Sequence, residues 1–373
     1  MDTRGRVGRD IPPGVDQNQW QFRIVPANDE LLSTYLVRRA HCQGLSPHRF
    51  MERGLPGVQI WNRDIDSSLS APVSARIAQY CNLAEQDVKA MTLYDLVGFD
   101  SPASPDWLLY QSWINAVGIY HRLRRRFGLQ YCPLCLQAQP VFQRAWRLAF
   151  VFCCPEHGVF LRNCCPSCGT AVMPHRARID MTRCWKCGAL LSGGTVVEST
   201  AVPVALETQR LMMRCIEDDE ISLGSTNVAR SEYLCAAVTV LRVVKEHMHS
   251  HPSLWSFDVP IDAVHAQVKF LGMPERLSLF TMLLEVMDDW PANFLHFSSV
   301  AGITQIAFGR RRNVPQWMNE VVAQLPARLR SRTGAMEANF VRYVRRLENE
   351  GGTKCRALRA QALMLAAKGK YGN

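Results

Sequence analysis

Apolar residues recur at three-and-four spacing through most of the 373-residue chain, and runs of strict alternation are few, so the pattern predicts a mainly α fold. Leu32, Tyr35, Leu36 and Ala40 form the apolar face of a first helix that Asn28 and Asp29 can cap. Ser46-Pro47 reads as an N-cap followed by proline at the first helical position, opening a second helix through Phe50 and Met51. Residues 74–81 and 85–91 predict a short helical pair broken at Asn82 to Ala84, the connectivity of a helix-turn-helix unit, which small bundles with other roles share. Further on, Leu234, Ala237, Val238, Leu241, Val244 and Met248 fall on one stripe. Leu277, Phe280, Leu283, Leu284 and Met287 form a second, ended by Trp290-Pro291. Between them, Glu217 to Glu220 reads as a solvated helix end, and Gly224-Ser225 as a linker. Residues 298–307 predict one helix, and Pro315 opens another with Met318, Val321, Val322 and Leu325 inward. A last helix places Met336, Phe340, Val344 and Leu347 on one side and Arg342, Arg345 and Arg346 on another.

These segments divide the chain into a disordered tail (1–20), an N-terminal helical region with helix-turn-helix character (21–121), a cysteine-rich region (122–195) and a C-terminal helical region with a basic end (196–373). The first twenty residues are polar, contain Gly and Pro, and lack the apolar run of a signal peptide. No stretch approaches the roughly eighteen apolar residues of a membrane span, so the expectation is a cytoplasmic protein without a membrane partner.

Nine of the fourteen cysteines lie between residues 132 and 187, whereas Cys42, Cys81, Cys215, Cys235 and Cys355 stand singly among apolar neighbours. Cys132-Pro133-Leu134-Cys135 is followed, after eighteen intervening residues, by Cys154-Pro155-Glu156-His157. Cys165-Pro166-Ser167-Cys168 is followed, after fifteen, by Cys184-Trp185-Lys186-Cys187. Two residues between paired ligands let a tight turn aim both donors at one ion, and four such pairs supply two complete tetrahedra. The expectation is two structural zinc ions, one held by Cys132, Cys135, Cys154 and His157 and the other by Cys165, Cys168, Cys184 and Cys187, in two imperfect copies of a zinc-ribbon-like unit. Cys153 and Cys164 are read as non-ligands, because Cys154 and Cys165 give both sites the same Cys-Pro turn. Gly158 and Gly188 follow a last ligand and permit the positive φ with which such turns close.

Four protein donors per ion leave no position for water or substrate, which points away from metal catalysis. A deaminase's H-x-E partner, a phosphate-binding GxxxxGK[ST] loop, GxSxG and HExxH are all missing from the sequence. The expectation is therefore a protein without catalytic residues. His247, His249 and His251 alternate along the chain and read as a polar corner.

Charge sharpens this picture. The formal net charge is +10, yet residues 1–121 carry −2 and residues 187–309 carry −7, while residues 122–186 carry +9 and residues 310–373 carry +10. Two basic segments in an acidic body suit polyanion-facing surfaces. In the second, Arg310, Arg311 and Arg312 occupy a turn, and Arg342, Arg345 and Arg346 form a stripe able to lie along phosphates, which makes these six the candidate nucleic-acid contacts.

The run YCPLC at 131–135, Trp146 between the ligand pairs, CPEHGVFL at 154–161, CPSCG at 165–169 and CWKCGALL at 184–191 resemble the TniQ (TnsD/TniQ) family of transposition targeting proteins. Glu30 to Arg38 (ELLSTYLVR) is similar to that family's E-S-L-x-S-W-L-x-R pattern, departing from it at Leu31 and Tyr35, and Asp289-Trp290-Pro291 also fits. The resemblance implies an all-α protein with an N-terminal helix-turn-helix region and central zinc motifs. It implies a non-catalytic adaptor, often a dimer, that selects the target of a Tn7-like transposon and recruits the AAA+ transposition ATPase. In RNA-guided elements the family rides on a Cascade-type ribonucleoprotein, and TnsD-like members bind target DNA directly. A zinc-ribbon assembly protein unrelated to transposition is the remaining alternative from the residues themselves.

Overall fold

The computed structural model describes residues 24–94, 96, 111–120, 123–178, 180–196, 199–224, 226–250, 267–309 and 314–327. The protein is mainly helical, as the periodicity predicts. The N-terminal helices are α1 (Leu32–Cys42), α2 (Pro47–Gly54), α3 (Ala71–Cys81) and α4 (Glu85–Ala90), and α5 (Pro133–Ala138) starts inside the cysteine-rich region. The C-terminal helices are α6 (Val202–Glu217), α7 (Arg230–Ser250), α8 (Met273–Met287), α9 (Ala292–Ala301) and α10 (Gln316–Val322). The described strands form three antiparallel hairpins: β1 (Ile119–Tyr120) with β2 (Leu123–Arg124), β3 (Cys153–Cys154) with β4 (Val159–Phe160), and β5 (Glu220–Leu223) with β6 (Thr226–Ala229).

Helix α1 starts where the apolar stripe starts, but its cap is not the one the local sequence offers. Leu31 occupies the N-cap and contributes no side-chain bond. The first N–H groups, which have no partner within a helix, donate instead to distant acceptors: Leu31 to Phe142 O at 2.9 Å, Leu32 to Met91 O at 2.9 Å, and Ser33 to the Asp66 carboxylate at 2.8 Å. Asp29 is thereby released to accept from Arg144 Nε at 3.0 Å and Ala145 N at 3.1 Å. Ser46 caps α2 as expected, accepting from Arg49 N. The turn between α3 and α4 passes through Asn82 in the left-handed conformation, φ 51°.

The two C-terminal stripes are core faces. Leu234, Ala237, Val238, Leu241 and Val244 of α7 are buried, and α8 packs on α6, α7 and α9 through Leu277, Phe280, Leu283 and Met287. Where a linker is expected at Gly224-Ser225, Gly224 directly follows β5 and β6 pairs back on β5 from Thr226, while Ser225 lies outside the described residues. Leu223 and Val228 of this hairpin are buried, and Gly224 approaches the backbone so closely that a Cβ would lie 2.5 Å from Trp290 O. The expected single helix over 298–307 is two elements, since α9 ends at Gly302 with φ 67° and a 3-10 turn follows at Gln305–Ala307. Pro315 opens α10 with Met318, Val321 and Val322 buried, as expected. The polar corner expected around His247 and His249 is helical, because α7 continues through Ser250. Arg310, Arg311, Arg312, Arg342, Arg345, Arg346 and the last predicted helix lie outside the described residues, as does His251.

Candidate metal centres

Each cage is assembled from turns that the local sequence dictates. In the first, Cys132 is the N-cap of α5, Pro133 occupies the first helical turn, and Cys135 N donates to Cys132 Sγ at 3.5 Å. The other three knuckles close differently: the N–H of Gly158, Gly169 and Gly188 returns to the carbonyl of Cys154, Cys165 and Cys184 at 2.9 Å in each case. These glycines have φ of 60°, 66° and 76°, a region that other residues enter at a cost of roughly 1–2 kcal/mol. Ser167 N and Lys186 N donate to Cys165 Sγ and Cys184 Sγ at 3.4 Å, so backbone amides already face the sulfurs that would carry negative charge.

The donors converge as the spacing predicts. Cys132, Cys135, Cys154 and His157 form one group and Cys165, Cys168, Cys184 and Cys187 the other, with the ligand atoms of each within 4.8 Å of one another. In the first, Cys135 Sγ lies 3.5 Å from Cys154 Sγ, and His157 Nδ1 lies 3.7, 3.2 and 3.4 Å from the sulfurs of Cys132, Cys135 and Cys154. In the second, Cys165 and Cys187 are 3.6 Å apart, and Cys168 and Cys184 are 3.7 Å apart. A tetrahedron with metal–sulfur bonds of about 2.3 Å has edges of about 3.8 Å, so both cages have the dimensions of a closed four-coordinate site. The two clusters could hold metal ions.

Electrostatics support the same conclusion. A hydrogen bond from Cys132 lowers the Cys154 thiol to about 5, while that same bond raises Cys132, and burial pushes Cys135 up to about 12. In the second cage the Ala189 amide lowers Cys187 to about 7, and burial raises Cys165 to about 12. Sulfurs packed this closely repel one another as thiolates, and a cation at the centre would remove that repulsion. Cys153 and Cys164 belong to neither cage. Cys153 is buried in β3, where burial raises its thiol, and the carbonyl of Cys164 accepts from Tyr131 Oη at 2.9 Å.

The cages are joined and supported by groups that spacing could not reveal. Tyr131, fully buried, exchanges backbone bonds of 2.8 Å with Arg162 and reaches Leu191 O at 3.1 Å, linking the first module to the end of the second. Arg162 donates to the carbonyls of Leu191, Gly193 and Thr195. From the C-terminal helices, Gln209 Oε1 of α6 accepts from Phe152 N at 2.9 Å and Cys153 N at 3.2 Å. Arg276 of α8 donates to Ala149 O and to Gln130 Oε1, and its guanidinium lies over the Phe152 ring. Phe280 meets Trp113, Phe150 and Phe152 with centroids 5.7 to 6.2 Å apart. Two helices more than fifty residues away in sequence therefore clamp the segment that delivers Cys154.

The basic segment 122–186 is in part internal. Arg147 is fully buried, Arg144 pairs with Asp29, and Arg162 closes the second module. Arg176, which stacks on Trp185 at 4.4 Å, and Arg178, Arg183 and Lys186 are exposed around the second cage. That cage is also the more accessible one, with Cys168 and Cys187 exposed where Cys132 and Cys154 are buried. Graded chelation should follow this difference. A chromogenic chelator is expected to take up one equivalent of metal quickly and a second slowly, with the fast phase absent in Cys187→Ser protein. Two equivalents released in a single phase would contradict it.

Fold and site together define a helical protein braced by two closed four-donor cages. Residues 21–161 match the TniQ family model, a span that runs from the segment before α1 through the first cage. No curated protein matches the chain. The ELLSTYLVR pattern is explained by its contacts: Glu30 pairs with Arg38 at 2.6 Å, and Ser33 binds Asp66 through both its amide and its hydroxyl. A TniQ domain makes this a protein associated with Tn7-like transposition. Among the described residues no helix is long and apolar enough to cross a membrane.

Proposed function

We propose that this protein is a non-catalytic target-selection adaptor that links a Cascade-type guide-RNA complex to the AAA+ transposition ATPase, with two structural zinc ions holding its centre. The observation that carries the reading is the TniQ match itself, which encloses the first cage. Donor chemistry supports zinc: three thiolates with one imidazole, and four thiolates, are sets zinc takes in closed tetrahedral sites. With no coordination position left for a substrate, the cages serve as scaffold.

Surface chemistry favours a protein or ribonucleoprotein partner over duplex reading by the N-terminal bundle. Asn82, Ala84, Glu85, Gln86 and Asp87 are the exposed residues where α4 begins, and carboxylates there repel phosphates. Nucleic-acid contact is assigned instead to the exposed basic residues of the second module and to Arg310, Arg311, Arg312, Arg342, Arg345 and Arg346. Affinity purification of the tagged chain from cells carrying the complete element tests the reading. The expected result is salt-stable recovery of a guide-RNA complex, with only weak, non-specific duplex affinity in the isolated protein. Recovery of the chain alone, together with a preference of about a thousandfold or more for one duplex site, would instead establish a direct DNA-binding protein of the TnsD type.

A further inference from the structure

A cleft of about 330 Å³ opens between the segment preceding α1 and the corner where α3 meets α4, within the size range of small-ligand sites. One wall is α1, from which Arg39 reaches in, and the others carry Ile24, Pro26, Leu83 and Met91. Arg39 is 9% exposed, and of its five N–H donors one is used, from Nη1 to Tyr35 Oη at 3.2 Å. Its Nε finds no partner.

The carboxylates around the cleft are already engaged. Asp29 binds Arg144, Glu30 binds Arg38, and Asp87 accepts from Ala84 N. Arg276, also buried, differs in kind, because two oxygen acceptors and the Phe152 ring surround its guanidinium. Among the described residues, Arg39 is thus a buried charge beside an open cavity, with one hydrogen-bond acceptor and no carboxylate paired to it. Such a charge is costly until an anion meets it.

The cleft also indicates which anion. Asp29 and Glu30 are neutralised by Arg144 and Arg38, which leaves Arg39 and the Asp87 carboxylate, so an entering anion meets one guanidinium and the repulsion of one carboxylate. A phosphate, with up to two charges, would meet that repulsion, whereas a single carboxylate fits the fork of one guanidinium. The remaining wall is largely aliphatic and suits an apolar body behind the charged group. We propose that this cleft is a binding site for a monocarboxylate carried on an apolar body, with Arg39 as its counter-ion. A free amphiphilic acid and an acidic side chain flanked by apolar residues on a peptide both present this chemistry.

Calorimetric titration of the full chain tests it with hexanoate, with a short peptide bearing one glutamate between leucines, and with acetate and inorganic phosphate for comparison. Saturable binding of hexanoate, tighter than acetate and without competition from phosphate, is the expected result. Peptide binding at the same site marks a protein partner, and hexanoate binding alone marks a small acid. Arg39→Met is expected to weaken hexanoate at least about tenfold, since a charge-assisted bond is lost. The same variant should melt no lower than the parent, because an uncompensated charge has been removed, whereas a guanidinium with a purely structural role would leave a less stable protein. Should Arg39→Met fail to fold, Arg39→Lys decides: weakened hexanoate binding supports the site, and unchanged affinity overturns it. Absence of saturable binding in the parent up to concentrations of about 10 mM, well above a 1 mM dissociation constant, or phosphate binding as tight as hexanoate, also overturns it.

Discussion

Cys154→Ser protein should retain one metal ion per chain and lose cooperative folding of the centre of the molecule. Cys154 is 2% exposed and sits in β3, whose neighbouring amides are held by Gln209 and whose approach is clamped by Arg276 and Phe280. Opening this cage therefore frees a segment on which both the N-terminal bundle and the C-terminal helices pack. Structural zinc contributes an apparent ~10–16 kcal/mol in small zinc-binding peptides, comparable to the whole stability of a domain, ~5–15 kcal/mol. Cys187→Ser should also lose one ion, but Cys187 is exposed and the damage should stay within the second module. Elemental analysis combined with thermal melts of both variants checks the asymmetry. Two ions retained in Cys154→Ser protein, or equal melting temperatures for the two variants, would refute it.

Arg147→Ala is expected to destabilise the protein by roughly 3–5 kcal/mol, the range found when one partner of a buried ion pair is removed. Arg147 is fully buried and donates to Asp64 at 2.6 Å, to Asp66 at 3.4 Å and to the carbonyl of Asn115 at 3.0 Å. Asp66, equally buried, uses its other bonds to hold the amide and hydroxyl of Ser33 at the start of α1. One guanidinium thus joins α1, the loop before α3, the segment after Trp113 and the turn after Trp146. Without it Asp66 is a buried carboxylate that has lost its ion pair with Arg147, and the anchor it gives the first turn of α1 is weakened. Arg147→Met should be nearly as harmful, since the lost charge rather than the lost volume decides the cost. Adding Asp66→Asn to Arg147→Met should recover part of the loss, because the orphaned charge goes too. Denaturant unfolding of the two single variants and the double variant measures this coupling; strictly additive effects would show that the pair does not act as a unit.

The sequence alone determined the features that depend on neighbours a few residues apart. Both cages are legible because Cys-x-x-Cys and Cys-x-x-His fix their donors through a single tight turn, and the glycines that close three of the turns stand beside the ligands. The buried faces of α1, α7 and α8 are legible because a helix returns to the same side every three or four residues.

Tertiary structure decided the fate of the individual polar groups. Asp29 looks like the cap of α1, yet Asp66 performs that role from across the bundle, and Arg147 belongs to the core although it lies in a segment whose composition suggested a polyanion surface. Gly224 looks like part of a linker, but the backbone of Trp290 sits against it. The supports of the first cage, Gln209 and Arg276, carry no local signal at all. A charged or amide side chain has the same composition and spacing whether it meets water, a carboxylate or a buried carbonyl. Only the packing of distant segments determines which of these it meets, and with it the sign and size of its contribution.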